Sequence, residues 1–227
     1  MSTAFLPIDL DFTLPDEQDI INFCDSIEPS SEELGTQWHT YIIYSRLEQD
    51  SWKDINVCWH EIKNKTVYTG KKGKFYNGFD TTFPVFSKQL MQLPFKDISY
   101  IVLFRQRQEV GAHTDRIEGE TLDDTLSIQN NDPRRLHLEP KRYNVLMTKF
   151  DYKSFYVCKD EKDTPIYPNI TKEKPCFAFS LDEHAHGATY AGPDKIMAFV
   201  SGSLDEERHK EIIKRSTEVN KDKMIVF

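Results

Sequence analysis

Between residues 98 and 201 the chain is cut into seven short segments rich in aromatic and β-branched residues, with polar turns between them: Ile98 to Gln106, Ala112 to Arg116, Lys141 to Thr148, Ser154 to Cys158, Cys176 to Leu181, His184 to Tyr190 and Lys195 to Ser201. Closely spaced strands of this kind form a sandwich or barrel rather than alternating βαβ units. This predicts a mainly β (α+β) protein with helices at its flanks. Pro15-Asp16-Glu17 opens a segment in which Ile20, Ile21, Cys24 and Ile27 recur at helical spacing, so a first helix is expected to end near Pro29. Trp38 to Ser45 reads as a strand, Tyr68 to Asp80 as a turn-rich loop, and Phe83 to Leu93 as a helix with Phe86, Leu90 and Leu93 on one side. Asp205 to Thr217 reads as an amphipathic helix with acids at its start, and Met224 to Phe227 could add a last strand. Ile117 to Pro133 is the longest loop, of a length that often serves as a lid.

A chain of 227 residues can bury one sizeable core, so a single domain over 1–227 is expected: support at roughly 1–97, a β core at roughly 98–202 and a helix at 205–217. With 38% hydrophobic and 29% charged residues, no stretch is polar enough to predict disorder. The net charge of -8 argues against general nucleic-acid binding or attachment to an anionic membrane, both of which need clustered Lys and Arg. Residues 1–14 lack a basic start followed by an apolar run, and nowhere do about 18 apolar residues follow one another. A soluble, cytoplasmic protein is the expectation. Cys24, Cys58, Cys158 and Cys176 are scattered without a C-x-x-C pair, which predicts reduced, buried thiols rather than a zinc knuckle.

The chemistry-bearing residues are few. In a strand alternate side chains face the same way, so His113 and Asp115 of Gly111-Ala112-His113-Thr114-Asp115 would present an imidazole and a carboxylate to one point. A second imidazole comes from Glu183-His184-Ala185-His186-Gly187-Ala188, where His184 and His186 alternate onto one face and either qualifies. Two His and one carboxylate leave roughly three open positions on an octahedral iron(II), as oxygen chemistry requires. Arg142 and Asn144 lie two apart in an otherwise apolar strand, facing opposite to Tyr143, Val145 and Met147, which suggests a lined pocket.

These pieces carry a resemblance. His113-Thr114-Asp115, Arg142-Tyr143-Asn144-Val145-Leu146, and His186-Gly187-Ala188 followed by Lys195-Ile196-Met197-Ala198-Phe199-Val200 resemble the Fe(II)/2-oxoglutarate-dependent oxygenases, within them the aspartyl/asparaginyl β-hydroxylase-like group. The resemblance implies a double-stranded β-helix, or jelly roll, with iron held by His113, Asp115 and His186. It implies 2-oxoglutarate as cosubstrate and dioxygen as oxidant, giving succinate, CO2 and a hydroxylated small-molecule, amino-acid or peptidyl substrate. Because Asp115 takes the carboxylate position, hydroxylation is implied rather than halogenation. His186 is the implied distal ligand, since Lys195, nine positions on, then falls where the family places the cation for the cosubstrate's far carboxylate. That cation is commonly Arg; Lys neutralises a carboxylate but lacks the bidentate fork. Arg142 is a second cosubstrate contact with Asn144 beside it, and Arg134 or Arg135 with His137 are alternatives.

The other candidates have bland readings. His39, His60, His137 and His209 lack partners at ligand spacing. Lys71-Lys72-Lys74 reads as a solvated turn, while Arg105 and Arg116 would be solvated or meet an anionic substrate. The rival function is a non-catalytic, cupin-like metal-binding β-barrel that serves as a binding module.

Overall fold

A computed structural model describes residues 3–29, 31–33, 38–45, 73–106, 108–114, 143–150, 154–179, 184–189 and 194–227. Asp115, Arg116, the loop from Ile117 to Pro133, Arg134, Arg135, His137, Arg142, His60, Cys58, Lys71 and Lys72 lie outside the described residues.

The protein is mainly β, with antiparallel sheets and few helices. The strands are β1 (Thr3–Pro7), β2 (Ser31–Glu33), β3 (Trp38–Ser45), β4 (Lys74–Phe75), β5 (Phe95–Gln106), β6 (Val110–His113), β7 (Tyr143–Leu146), β8 (Tyr156–Cys158), β9 (Cys176–Phe179), β10 (Ala185–Ala188), β11 (Lys195–Leu204) and β12 (Ile225–Val226). Among the described residues nine form one sheet, in the order β12-β1-β9-β7-β11-β5-β3-β2 with β4 attached to β3; the other three form a small sheet, β6-β10-β8. From β5 to β11 successive strands alternate between the two sheets. The longest ladder joins β11 to β5 and runs from Lys195↔Gln106 to Leu204↔Phe95.

Period-two side-chain direction divides the large sheet into two faces. Tyr41, Ile43, Ile101, Leu103, Tyr143, Val145, Cys176, Ile196, Ala198 and Val200 point to one side and form the main core with the helices. α1 (Glu17–Ser26) starts at Asp16, whose carboxylate accepts from the Gln18 amide at 2.9 Å, and inserts Ile20, Ile21, Phe23 and Cys24. Burying an Ile or Phe is worth about 1.5–3 kcal/mol, more than the few tenths that helix propensity contributes per residue, so packing holds this helix. α2 (Phe79–Thr82) follows the Asn77-Gly78 turn, both of whose residues have positive φ. α3 (Pro84–Leu90) has proline in its first turn, and α4 (Glu206–Val219) is capped by Asp205. Inside the main core Tyr143 shares a 2.8 Å hydrogen bond with His209 Nδ1. Burial pushes the Tyr143 phenol well above its ordinary range, so the pair serves packing and His209 stands apart from the other histidines.

The opposite face faces the small sheet through an aromatic-rich layer that includes Phe5, Leu146, Phe155, Val157 and Phe177, with Phe179, Met197 and Phe227 at its margin.

Several features differ from the expectation. Within Tyr68 to Asp80, read as a loop, lie β4 and the start of α2, and β5 begins at Phe95 rather than Ile98. The sequence reading has no strand at residues 3–7, yet β1 pairs with β9 and carries β12 on its other edge. Before residue 98, β1 to β4 thus extend the large sheet. The reason is that Thr3–Pro7 is short, lacks an alternating pattern and contains proline, so only the open edge of β9 makes it a strand. Lys195 to Ser201 was also too short a reading, since the ladder to β5 carries β11 on to Leu204 across two register shifts. Cys24, Cys158 and Cys176 are free and buried, as expected for reduced thiols. Among the described residues no helix is long and apolar enough to cross a membrane.

Candidate functional site

His113 ends β6 and His186 lies within β10, and the ladder puts the two directly opposite each other. Facing residues of an antiparallel pair point to the same side of the sheet. Their rings accordingly meet with centroids 4.5 Å apart and planes inclined by 51°. The β6–β10 register slips by one residue between His186↔His113 and Ala188↔Val110, a bulge of the kind that re-aims a side chain.

Local contacts orient both rings. His113 Nδ1 lies 2.9 Å from the Gly111 carbonyl, which can only accept, so Nδ1 donates there and Nε2 is the ring nitrogen turned away from that bond. A backbone carbonyl on one ring nitrogen is the usual support for an imidazole that ligates through the other. His186 is buried between His113 and Phe179, whose ring centroid is 4.6 Å from its own. Gly187 lets this strand lie close to its neighbours: a Cβ there would collide with the Tyr156 ring and sit 2.7 Å from the Val110 carbonyl oxygen. His184 goes elsewhere, against Phe227 at 5.1 Å. The structure thus brings His186, not His184, to His113.

Two imidazoles at facing positions are a donor set suited to iron, zinc, copper or nickel. Among the described residues no third His, Cys, Asp or Glu completes a cluster, and Asp115, the expected carboxylate, lies outside them.

The large sheet contributes the polar groups opposite. Asn144 alternates with Tyr143 and Val145 and therefore faces the small sheet, flanked by Phe177 and Phe199. It is 1% exposed, and among the described residues neither its amide nitrogen nor its amide oxygen has a hydrogen-bond partner. Leaving such a group unsatisfied costs about 1–3 kcal/mol, which a bound polar ligand would recover. Arg142, its expected companion, lies outside the described residues.

Lys195 is 4% exposed, which removes the reading of a surface lysine. Its ammonium donates to Gln106 Oε1 at 2.7 Å and to the Ser154 carbonyl. Both acceptors are neutral, and burial pushes the amine down from the ordinary lysine value of 10.5 to about 7. Between those two values the unfolded chain holds the proton more tightly than the folded one, so stability must rise with pH. The stability of the parent protein minus that of Lys195→Met is expected to be flat below pH 7. It should then climb by up to about 1.4 kcal/mol per pH unit toward pH 10. Denaturant midpoints across this range check the sign; a difference that falls with pH contradicts the neutral cage.

Arg105, weighed above as a contact for an anionic substrate, turns to the helix side of the sheet. It is 6% exposed and bridges Asp25 at 2.5 Å and Asp194 at 3.1 Å. Sequence reasoning missed Gln106, Ser154 and Phe179. Gln106 had a signal, since it ends the row Tyr100, Val102, Phe104 that shares one face of β5.

No protein-family model matches this chain, and no curated protein matches it either.

Proposed function

We propose that this protein is an Fe(II)- and 2-oxoglutarate-dependent oxygenase of double-stranded β-helix architecture that hydroxylates a small-molecule, amino-acid or peptidyl substrate. The observation that carries the reading is the opposition of His113 and His186 across β6 and β10, two imidazoles aimed at one place from segments remote in sequence. The alternation of β5 to β11 between the sheets supports the jelly roll, because winding a chain between two facing sheets produces that order. His113, His186 and Asp115 would hold the iron. Lys195 would take the far carboxylate of the cosubstrate, and Asn144, with Arg142, its nearer polar groups.

Iron and 2-oxoglutarate, when bound, supply the power to hydroxylate a C–H bond, with succinate and CO2 as coproducts. The protein's own share is orientation and dryness. The Gly111 carbonyl fixes the orientation of the His113 ring through Nδ1, and Phe179 fixes the tilt of His186. Phe155, Phe177 and Phe179 keep water from that side of the site.

One observation favours a second reading, a non-catalytic metal-binding module: Lys195 already has two protein acceptors. A melting experiment separates the two. Mn(II) alone should raise the transition, and adding 2-oxoglutarate should raise it again, by about 2.7 kcal/mol of stabilisation at a hundred times its Kd. A rise with manganese but none with 2-oxoglutarate selects the binding module. If neither has an effect, the metal reading fails altogether. Succinate release from iron(II), 2-oxoglutarate and ascorbate in a metabolite screen then identifies the substrate.

A further inference from the structure

We infer that Gln106 is the positioning residue of this site, fixing both the place and the charge of Lys195 so that a dicarboxylate enters together with a proton. The inference rests on the oxygenase reading, in which Lys195 is the carboxylate anchor.

Gln106 has no freedom of orientation. Its amide nitrogen lies 2.8 Å from the Gln108 carbonyl, 3.1 Å from that of Ala188 and 3.3 Å from that of Thr189. Carbonyls only accept, so the NH2 end must face them and the oxygen must face Lys195, 2.7 Å away. Ala188 and Thr189 continue the strand that carries His186. The same amide therefore ties the anchoring cation on β11 to the backbone that presents the metal-ligating imidazole. A shift of either strand would be passed to the other.

Its neutrality matters as much as its position. The described elements around Lys195 present dipoles rather than a counter-charge. Among the described residues, β5 offers it the Gln106 amide and the segment before β8 the Ser154 carbonyl. Beyond β7, the Thr148 hydroxyl is engaged with the Asp194 carbonyl and the Ile196 amide. The Asp194 carboxylate turns to Arg105 at 3.1 Å. The small sheet carries two titratable imidazoles, His113 and His186, which face each other. Among the described residues no carboxylate reaches Lys195 Nζ. A buried amine held only by dipoles releases its proton easily, and its position near 7 follows from burial alone. An arriving carboxylate would supply the missing charge, and a proton would move from solvent to Nζ as it binds.

The test is calorimetric titration of 2-oxoglutarate into the Mn(II)-loaded protein between pH 6.5 and 9. Parent protein, Lys195→Met, Gln106→Glu and Gln106→Met are compared, and Mn(II) binding without 2-oxoglutarate confirms that each variant is folded. The parent's affinity should fall about tenfold per pH unit above pH 7 to 8, with one proton taken up from buffer at the upper end. Gln106→Glu puts a carboxylate beside the ammonium, so binding at pH 7 should weaken at least tenfold and its pH dependence should vanish. Gln106→Met leaves the amine uncompensated but loosely held, so affinity should drop several-fold with the slope kept. Should Gln106→Glu not fold, Gln106→Met alone decides. If Lys195→Met loses binding while both Gln106 variants keep the parent's affinity and slope, the inference is wrong and the oxygenase reading stands. If the parent does not bind 2-oxoglutarate, or Lys195→Met binds it like the parent, the oxygenase reading fails and takes the inference with it.

Discussion

His186→Ala is expected to abolish turnover and to weaken Mn(II) binding by more than about a hundredfold, whereas His184→Ala should change that affinity by no more than a few-fold. Losing a supporting residue around a metal ligand typically costs 10–100-fold, so losing a ligand must cost more. The paired control gives the experiment its force, because the two residues are the same type, two positions apart and both buried. They differ in what they meet: His113 at 4.5 Å for one ring, Phe227 at 5.1 Å for the other. His113→Ala should match His186→Ala. Metal titrations followed by melting temperature report all three. Equal losses from His184→Ala and His186→Ala would mean that metal binding follows general packing rather than the opposed pair, and the proposed centre would be lost.

The second large effect concerns the layer between the sheets. Phe177→Ala should destabilise the protein by about 3–5 kcal/mol, the usual range for emptying a buried aromatic site. Phe177 is 1% exposed and has Phe5 and Phe155 at 5.3 Å and Phe179 at 6.1 Å. The ring therefore joins β1, β9 and the approach to β8, and these neighbours cannot all close over the void. For a chain of this size such a loss lowers the melting temperature by on the order of 10 °C. Val85→Ala, at a side chain 56% exposed on α3, should stay within about 0.5 kcal/mol of the parent. A Phe177→Ala protein that melts within two or three degrees of the parent would show that the sheets are not held through this layer.

Much of the fold was legible because it is written in local periodicity. Trp38–Ser45 is a strand with the expected bounds, and α1 and α4 begin at the acidic caps that mark them. In Tyr143–Leu146 the parity rule places Asn144 opposite to Tyr143 and Val145, as read from the sequence. The same rule fails to separate His184 from His186, which share a parity. The choice came from pairing: only His186 is inside β10 and across from His113. Lys195 was equally undecidable, since most lysines are exposed and nothing adjacent to it foretells burial. β1 was missed for a related reason, its partner being β9, far along the chain.

The amino-acid sequence by itself determined the β-rich character of residues 98–201, the flanking helices and the short roster of imidazoles and cations from which a site might be drawn. These are properties of spacing along one strand or helix. Tertiary structure alone decided which histidine meets which, that Arg105 is given over to Asp25 and Asp194, and that the Lys195 amine is caged by Gln106 and Ser154. Register between strands and depth of burial set those outcomes. Both depend on residues tens of positions away, whose contacts exist only once the two sheets have closed on each other.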